Sequence, residues 1–213
     1  HGATAVSDAQ DVSSVAQAVM LAQFLDALKI DKVDLVGNDG GGAVCQIFAV
    51  NNPQRVRTLT LTDCDTHDNW PPEAFQGFVD MCAAGSLSDT LSAMLADKSV
   101  FRGALEPCYE NAAAVSDETI DAYLTQYFSG PDRIRGLERF VAAFDCAQTV
   151  AIGGKLRTLT MPTLILWATD DVYFDKKWAH WLAARIPGTR QVVEVDKGRL
   201  FFFEERPAFF NRH

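Results

Sequence analysis

The feature that most limits what this chain can fold into is a run of small residues, Gly37-Asn38-Asp39-Gly40-Gly41-Gly42, wedged between two apolar segments of opposite type. Before it, Lys32-Val33-Asp34-Leu35-Val36 is short and β-branched and reads as a strand; after it, Ala43 to Ala49 is apolar and helix-like. A strand that becomes a helix within so few residues must bend sharply, and glycines at 37, 41 and 42 remove Cβ atoms that would collide across the bend. The apex is Asp39. Such a turn presents its side chain at the N-terminus of the next helix, where free N–H groups and the helix dipole favour an anion. Asp39 is therefore expected to stay ionised and available as a nucleophile, with the Gly40 N–H as one donor of an oxyanion hole. Asn-Asp-Gly is also common turn chemistry, and the same residues can form a plain Asx turn.

The surrounding pattern alternates strand and helix. Val12 to Leu28 carries Val15, Val19, Ala22, Leu25 and Leu28 at helical spacing behind the N-cap candidates Asp11 and Ser13. Arg55 to Thr62 alternates like a strand, as do Thr163 to Trp167 and Gln191 to Val195. A helix between neighbouring strands, including Lys176 to Ala184, implies an α/β fold with a mostly parallel sheet. Between the second and third strands no further strand is legible. Phe75 to Ala84, Leu87 to Leu95, Asp117 to Phe128 and Pro131 to Phe144 read as helices, with starts at Pro72, Ser86, Ser116 and Pro131. The expected organisation is a core over 1–69, a helical cap over 70–155 and the second part of the core over 156–213. An insertion there would sit over the carboxyl ends of the strands, where ligands bind in such sheets.

Composition excludes several classes. The chain is 48% apolar and 22% charged, the balance of a soluble globular domain. Its 28 acidic residues against 19 basic ones give a net charge of −9, which repels a nucleic-acid backbone and leaves a small molecule as the expected partner. Asp, Lys or Arg breaks every apolar stretch short of a membrane span. Phe201-Phe202-Phe203 and Phe209-Phe210 are interrupted by Glu204, Glu205 and Arg206 and read as an amphipathic final helix packed on the sheet. Five scattered cysteines, with no C-x-x-C pair and no His at ligand spacing, read as reduced thiols of a cytoplasmic protein without a metal site.

Three segments together resemble the α/β-hydrolase fold family, in the branch with an aspartate nucleophile, the haloalkane dehalogenases and epoxide hydrolases. They are the elbow at Asp39, the turn Trp167-Ala168-Thr169-Asp170-Asp171 with Asp171 at the acid position, and Gly198-Arg199-Leu200 followed by Glu204-Glu205-Arg206-Pro207. The resemblance implies attack by the aspartate on an sp3 carbon, a covalent ester, and hydrolysis by water activated by a histidine that the second acid orients. It implies no metal or organic cofactor.

The chain departs from that pattern at one decisive place: Arg199 stands where the family has its histidine, and a guanidinium is no general base. His67, in the loop after the strand ending near Thr62, is the internal substitute base to consider, and can equally be a solvated loop residue; Asp65 or Asp68 of the same loop can lie near the site. His180 reads as a surface residue. Asp170 and Asp171 compete as the acid, and counting from Ala168 favours Asp171; both can instead cap the helix from Lys176 to Ala184, and Asp171 can pair with Arg199. Gly40 follows the nucleophile where the family usually has Trp, Asn38 and Trp70 are candidate pocket residues, and Tyr109, Tyr123 and Tyr127 are either proton donors or core. Two readings stand: a hydrolase of small, largely apolar substrates, or a degenerate relative that binds small molecules. In the resembled family the strand before the elbow is the fifth of eight, so the N-terminal strands are expected to be missing here. The strand at Lys32 to Val36 would then be an open edge through which copies can associate.

Overall fold

Each predicted strand forms, and the regular alternation with helices builds one parallel sheet. The computed structural model describes Thr4, residues 6–130 and residues 132–213. Helix α1 (Ser14–Ala27) starts where the Ser13 hydroxyl accepts the Ala16 N–H at 3.2 Å. Strand β1 (Val33–Asp39) runs directly into α2 (Gly40–Asn51), and β2 (Val56–Cys64) follows. Six helices come next: α3 (Gln76–Ala83), α4 (Leu87–Ala96), α5 (Lys98–Leu105), α6 (Asp117–Leu124), α7 (Asp132–Ala142) and α8 (Cys146–Ile152). The chain then returns through β3 (Thr163–Ala168), α9 (Lys177–Ala183) and β4 (Thr189–Val195) to two one-turn helices, α10 (Phe202–Glu205) and α11 (Pro207–Phe210).

The strand order is β1-β2-β3-β4 with every pair parallel, as Leu35 opposite Leu59, Leu61 opposite Ile165 and Ile165 opposite Val192 show. All four carboxyl ends therefore emerge on one side, and the Asp39 elbow lies among them at the end of the edge strand. Leu59, Leu61, Ile165 and Trp167 are fully buried, as strands covered on both faces must be. Phe48 of α2 joins this core, while Leu87, Leu91, Ile120, Leu124 and Val141 of the intervening helices enclose a second one. Cys108 and Phe201 pack against both and join them.

Several boundaries differ from expectation for local reasons. Helices α5 and α8, not expected from the sequence, follow aspartate caps, Asp97 accepting from the Ser99 N–H at 2.9 Å and Asp145 from the Ala147 N–H at 2.8 Å. The helix predicted to reach Phe128 tightens after Leu124 into a 3-10 turn. The predicted start at Pro131 lies outside the described residues. The single final helix is broken in two by Pro207, although Phe202 does bury fully against Leu166, Ala168 and Val195. All five cysteines are free. Among the described residues no helix is long and apolar enough to cross a membrane.

Candidate active site

Asp39 occupies φ 51° and ψ −136°, a conformation that costs a non-glycine residue of order 1–3 kcal/mol and persists only where packing enforces it. The enforcement is visible. A Cβ on Gly42 would lie 2.2 Å from Cys64 Cβ, and one on Gly37 would lie 2.8 Å from the Gly42 Cα, so α2 is pressed against both strands. The steric reading of the glycines needs one correction: a Cβ at Gly41 would meet nothing within 4 Å, whereas one at Gly40 would come within 2.8 Å of the Phe144 ring. A register shift between Asn38 and Asp39, where Asp39 comes opposite Cys64, completes the bend.

Asn38 is tied into the backbone around the elbow. Its side-chain amide is committed to main-chain carbonyls, donating to Thr62 at 3.3 Å, Asp63 at 3.4 Å and Leu200 at 3.3 Å. It is a strut between the elbow, the end of β2 and the loop that carries Arg199.

Burial overrides the helix N-terminus at Asp39. Desolvation pushes its carboxyl up to about 6, the Gly40 N–H works against that rise, and repulsion from Asp171 adds to it. At pH 7 the group is still ionised about ten to one, so the expected charge state survives while the expected direction does not. Asp171 also rises to about 6 through burial, held back by N–H bonds from Phe174 at 3.0 Å and Tyr173 at 2.7 Å to its Oδ1. Its Oδ2 is buried without a partner. Asp171 thus holds the turn at Tyr173 and Phe174 rather than the start of α9, where the Lys177 N–H donates to Asp175, and it also faces the elbow. Asp170 instead anchors the turn through its N–H, which donates to the Gly198 carbonyl at 3.0 Å.

Two further carboxyls converge here. Asp63, at the end of β2, accepts the Ala168 N–H at 2.9 Å and the Thr62 hydroxyl at 3.1 Å; burial, then repulsion from Asp171, raises it well above the usual carboxylate range. Asp65 is 1% exposed, neither of its carboxyl oxygens has a partner, and burial followed by repulsion from Asp39 raises it well above that range too. Sequence reading passed over Asp63. The signal was its place at a strand end beside Asp65, but only the pairing of β2 with β3 brings it to Asp171.

The candidate base His67 does not reach these groups. Its φ of 53° turns the ring against Trp181, stacked at 4.7 Å between centroids, with Nδ1 buried, unpartnered and close to Gly153. The ion pair considered between Asp171 and Arg199 is absent as well: the Arg199 guanidinium donates across to the Glu106 carbonyl. His180 is exposed and bonded to Glu194 at 3.0 Å. Trp70 lies 5.0 Å from Phe144, centroid to centroid, so the two rings form a wall beside Gly40. Tyr109 and Tyr123 donate their hydroxyls to Glu204 at 2.7 and 2.8 Å. From the helical insertion, Cys108 faces the carboxyls; burial pushes its thiol up to about 12, with Tyr173 lowering it and Asp39 and Asp171 raising it.

Comparison with known proteins fits this geometry. A model of the alpha/beta hydrolase fold family matches residues 2–206. The chain belongs to that family. A 2-hydroxy-6-oxononadienedioate/2-hydroxy-6-oxononatrienedioate hydrolase of Cupriavidus pinatubonensis is 27% identical over 195 residues, covering 89% of this chain and 63% of that protein. Its counterpart in Paraburkholderia xenovorans is 29% identical over 150 residues, or 49% of its length, so the chain spans about half to two thirds of these relatives. Among solved structures, the 2-hydroxy-6-oxo-6-phenylhexa-2,4-dienoate hydrolase of Rhodococcus superposes with a TM-score of 0.79 at 15% identity, covering 99% of this chain and 74% of that one. An epoxide hydrolase superposes at 0.70 with 20% identity, covering 94% and 72%. Within this alpha/beta hydrolase fold, the strand-to-helix elbow, the turn at Asp171 and the loop at Arg199 meet at one end of the sheet.

Proposed function

We propose that this chain carries the reactive part of a hydrolase with an aspartate nucleophile, acting on small, uncharged substrates through an ester on Asp39. One observation carries the reading: an ionisable, non-glycine side chain held at positive φ where a strand enters a helix, with the Gly40 N–H directed at its carboxyl. A carboxylate suits attack on saturated carbon because it needs no proton removed first, and the Gly40 N–H is placed to receive negative charge when the ester is hydrolysed.

The charge of the site supports uncharged substrates. The Cupriavidus relative is named for a dioate, an anion with two carboxylates. Here Asp39 and Asp171 bring negative charge to the elbow, and the Arg199 guanidinium is turned to a main-chain carbonyl. A dianion would meet repulsion in a medium of low dielectric constant.

A second reading follows from Arg199 itself. With a guanidinium bonded to Glu106 in place of a histidine, the fold can bind a small molecule without turning it over. Incubation with haloalkanes and epoxides followed by intact-protein mass spectrometry separates the two. Covalent mass on Asp39, or turnover that Asp39→Asn abolishes, supports the hydrolase. Saturable binding with neither supports the second reading, and full turnover by Asp39→Asn refutes the nucleophile.

A further inference from the structure

The proposed chemistry needs a group to take a proton from water and a proton for a leaving oxygen. Neither His67, stacked on Trp181, nor the hydroxyls of Tyr109 and Tyr123, spent on Glu204, supplies them. Asp65 is placed to do both. Its N–H donates to the Asp39 carbonyl at 3.3 Å and its own carbonyl accepts from Gln46 Nε2 at 2.8 Å, so its backbone is tied to the elbow from two sides. The side chain is buried, both oxygens are unpartnered, and Oδ2 lies 3.7 Å from where a Cβ on Gly40 would stand. The titratable groups facing it are Asp39 from β1 and Cys64 at the end of β2, next to it in sequence; Gln46 of α2 and the Phe144 ring complete its surroundings. None is a cation. Two neighbouring carboxyls without a cation do not both ionise, so one proton is shared between them and Asp65 holds it while Asp39 is charged.

We infer that Asp65 is the acid–base residue of this site and that its proton directs the site toward substrates with a leaving oxygen, epoxides above all. This rests on the reading of Asp39 as nucleophile. In the first step an Asp39 oxygen forms a bond to a ring carbon, the carbon–oxygen bond of the epoxide breaks, and the proton of Asp65 passes to the departing oxygen. The products are a hydroxyalkyl ester on Asp39 and an Asp65 carboxylate, no longer opposed by a charge at position 39. In the second step that carboxylate takes a proton from water as the water oxygen adds to the ester carbonyl. Collapse expels the diol oxygen, which takes the hydroxyl proton of the intermediate, and restores the Asp39 carboxylate with protonated Asp65. Halide departure needs no proton, so after alkylation by a haloalkane Asp65 still holds its own; with the charge at position 39 gone it releases that proton to solvent, and the carboxylate so formed takes the proton from water in the second step.

The test is Asp65→Asn, which keeps shape and removes the proton exchange. Quenched reactions with styrene oxide and with 1-bromohexane are read by intact mass. Expected with the variant is a hexyl ester on Asp39 released about 100-fold more slowly than in the wild type, and alkylation by styrene oxide slowed by a similar factor. An infrared difference spectrum at pH 7, with 13C-labelled aspartate, is expected to show one protonated carboxyl in the wild type that the variant lacks. Alkylation of Asp39 with unchanged ester release, or no loss of that band, overturns the role of Asp65 alone. A wild-type chain that neither turns over nor is alkylated at Asp39 by either compound removes the nucleophile and this role together.

Discussion

Replacing Asp39 by Asn should make the protein more stable at neutral pH, although it removes the proposed nucleophile. Asp39 rises from an ordinary 3.8 to about 6 in the folded chain, chiefly by burial. The folded state therefore keeps its proton at pH values where the unfolded chain has released it. The stability tied to this group is fully present below about pH 4 and is lost as pH rises through 6. A rise of that size corresponds to about 3 kcal/mol, at 1.36 kcal/mol for each pH unit. Two effects reduce the gain. The residue is only partly buried, so solvent screens some of the penalty, and the amide loses the charge-assisted contact with the Gly40 N–H. One effect adds to it, because Asp65 ionises more easily once its charged neighbour is gone. The expected net gain is about 2 kcal/mol at pH 7.5, or about 4–8 °C in Tm for a chain of this size. Near pH 4, where both side chains are neutral, the difference should vanish. Urea titrations of both proteins from pH 4 to pH 8 measure it directly. A stability difference that does not change with pH, or a wild type more stable than the variant at pH 7.5, would refute burial as the dominant effect at the elbow.

Three other substitutions probe what surrounds it. Gly42→Ala places a Cβ against Cys64, forces α2 away from β2, and should cost about 3 kcal/mol in a denaturant melt, with partial rescue by Cys64→Gly. Glu204→Gln weakens the tie of Tyr109 and Tyr123 to the C-terminal segment; it should speed hydrogen exchange across 106–124 while leaving the protection of β2 and β3 unchanged. Among the described residues β1 pairs only with β2, and Val36 on it is 55% exposed, so copies of the chain should associate through that edge. Sedimentation should show concentration-dependent dimers that Val36→Lys suppresses, and a wild type that stays monomeric at high concentration counts against edge pairing.

The fold was legible because its signals are local. Alternation from Arg55 to Thr62 and the β-branched runs at 33–36 and 163–167 mark strands wherever the chain places them, and the helices between them dictate parallel order. The elbow was legible for the same reason, since glycines and an aspartate between strand and helix leave one sharp turn. What could not be read depends on partners far away in sequence. Gly40 rather than Gly41 is constrained because Phe144 comes to rest on it. The bonds of the Asn38 amide to the Thr62 and Leu200 carbonyls join segments that sequence alone does not bring together. The pKa of Asp39 follows burial and not the helix end, and burial is a property of the assembled sheet and the helices above it.

Several unfavourable features of this chain gather at the elbow. Asp39 sits at a φ that glycine would occupy without cost, and Asp63, Asp65 and Asp171 hold buried oxygens at raised pKa where amides would be cheaper to bury. A turn needed only to connect β1 to α2 would be more stable with Gly at 39 and Asn at 65, both small changes that the packing would accept. Strain and desolvation concentrated in the carboxyls at the ends of β1, β2 and β3 are instead what a preorganised acid–base site requires: a charge held out of water next to a proton with no other partner. Arg199 removes the expected base, but it leaves that concentration of cost intact. The carboxyl cluster is therefore the feature to test first, and the pH dependence of Asp39→Asn does so even where no substrate is in hand.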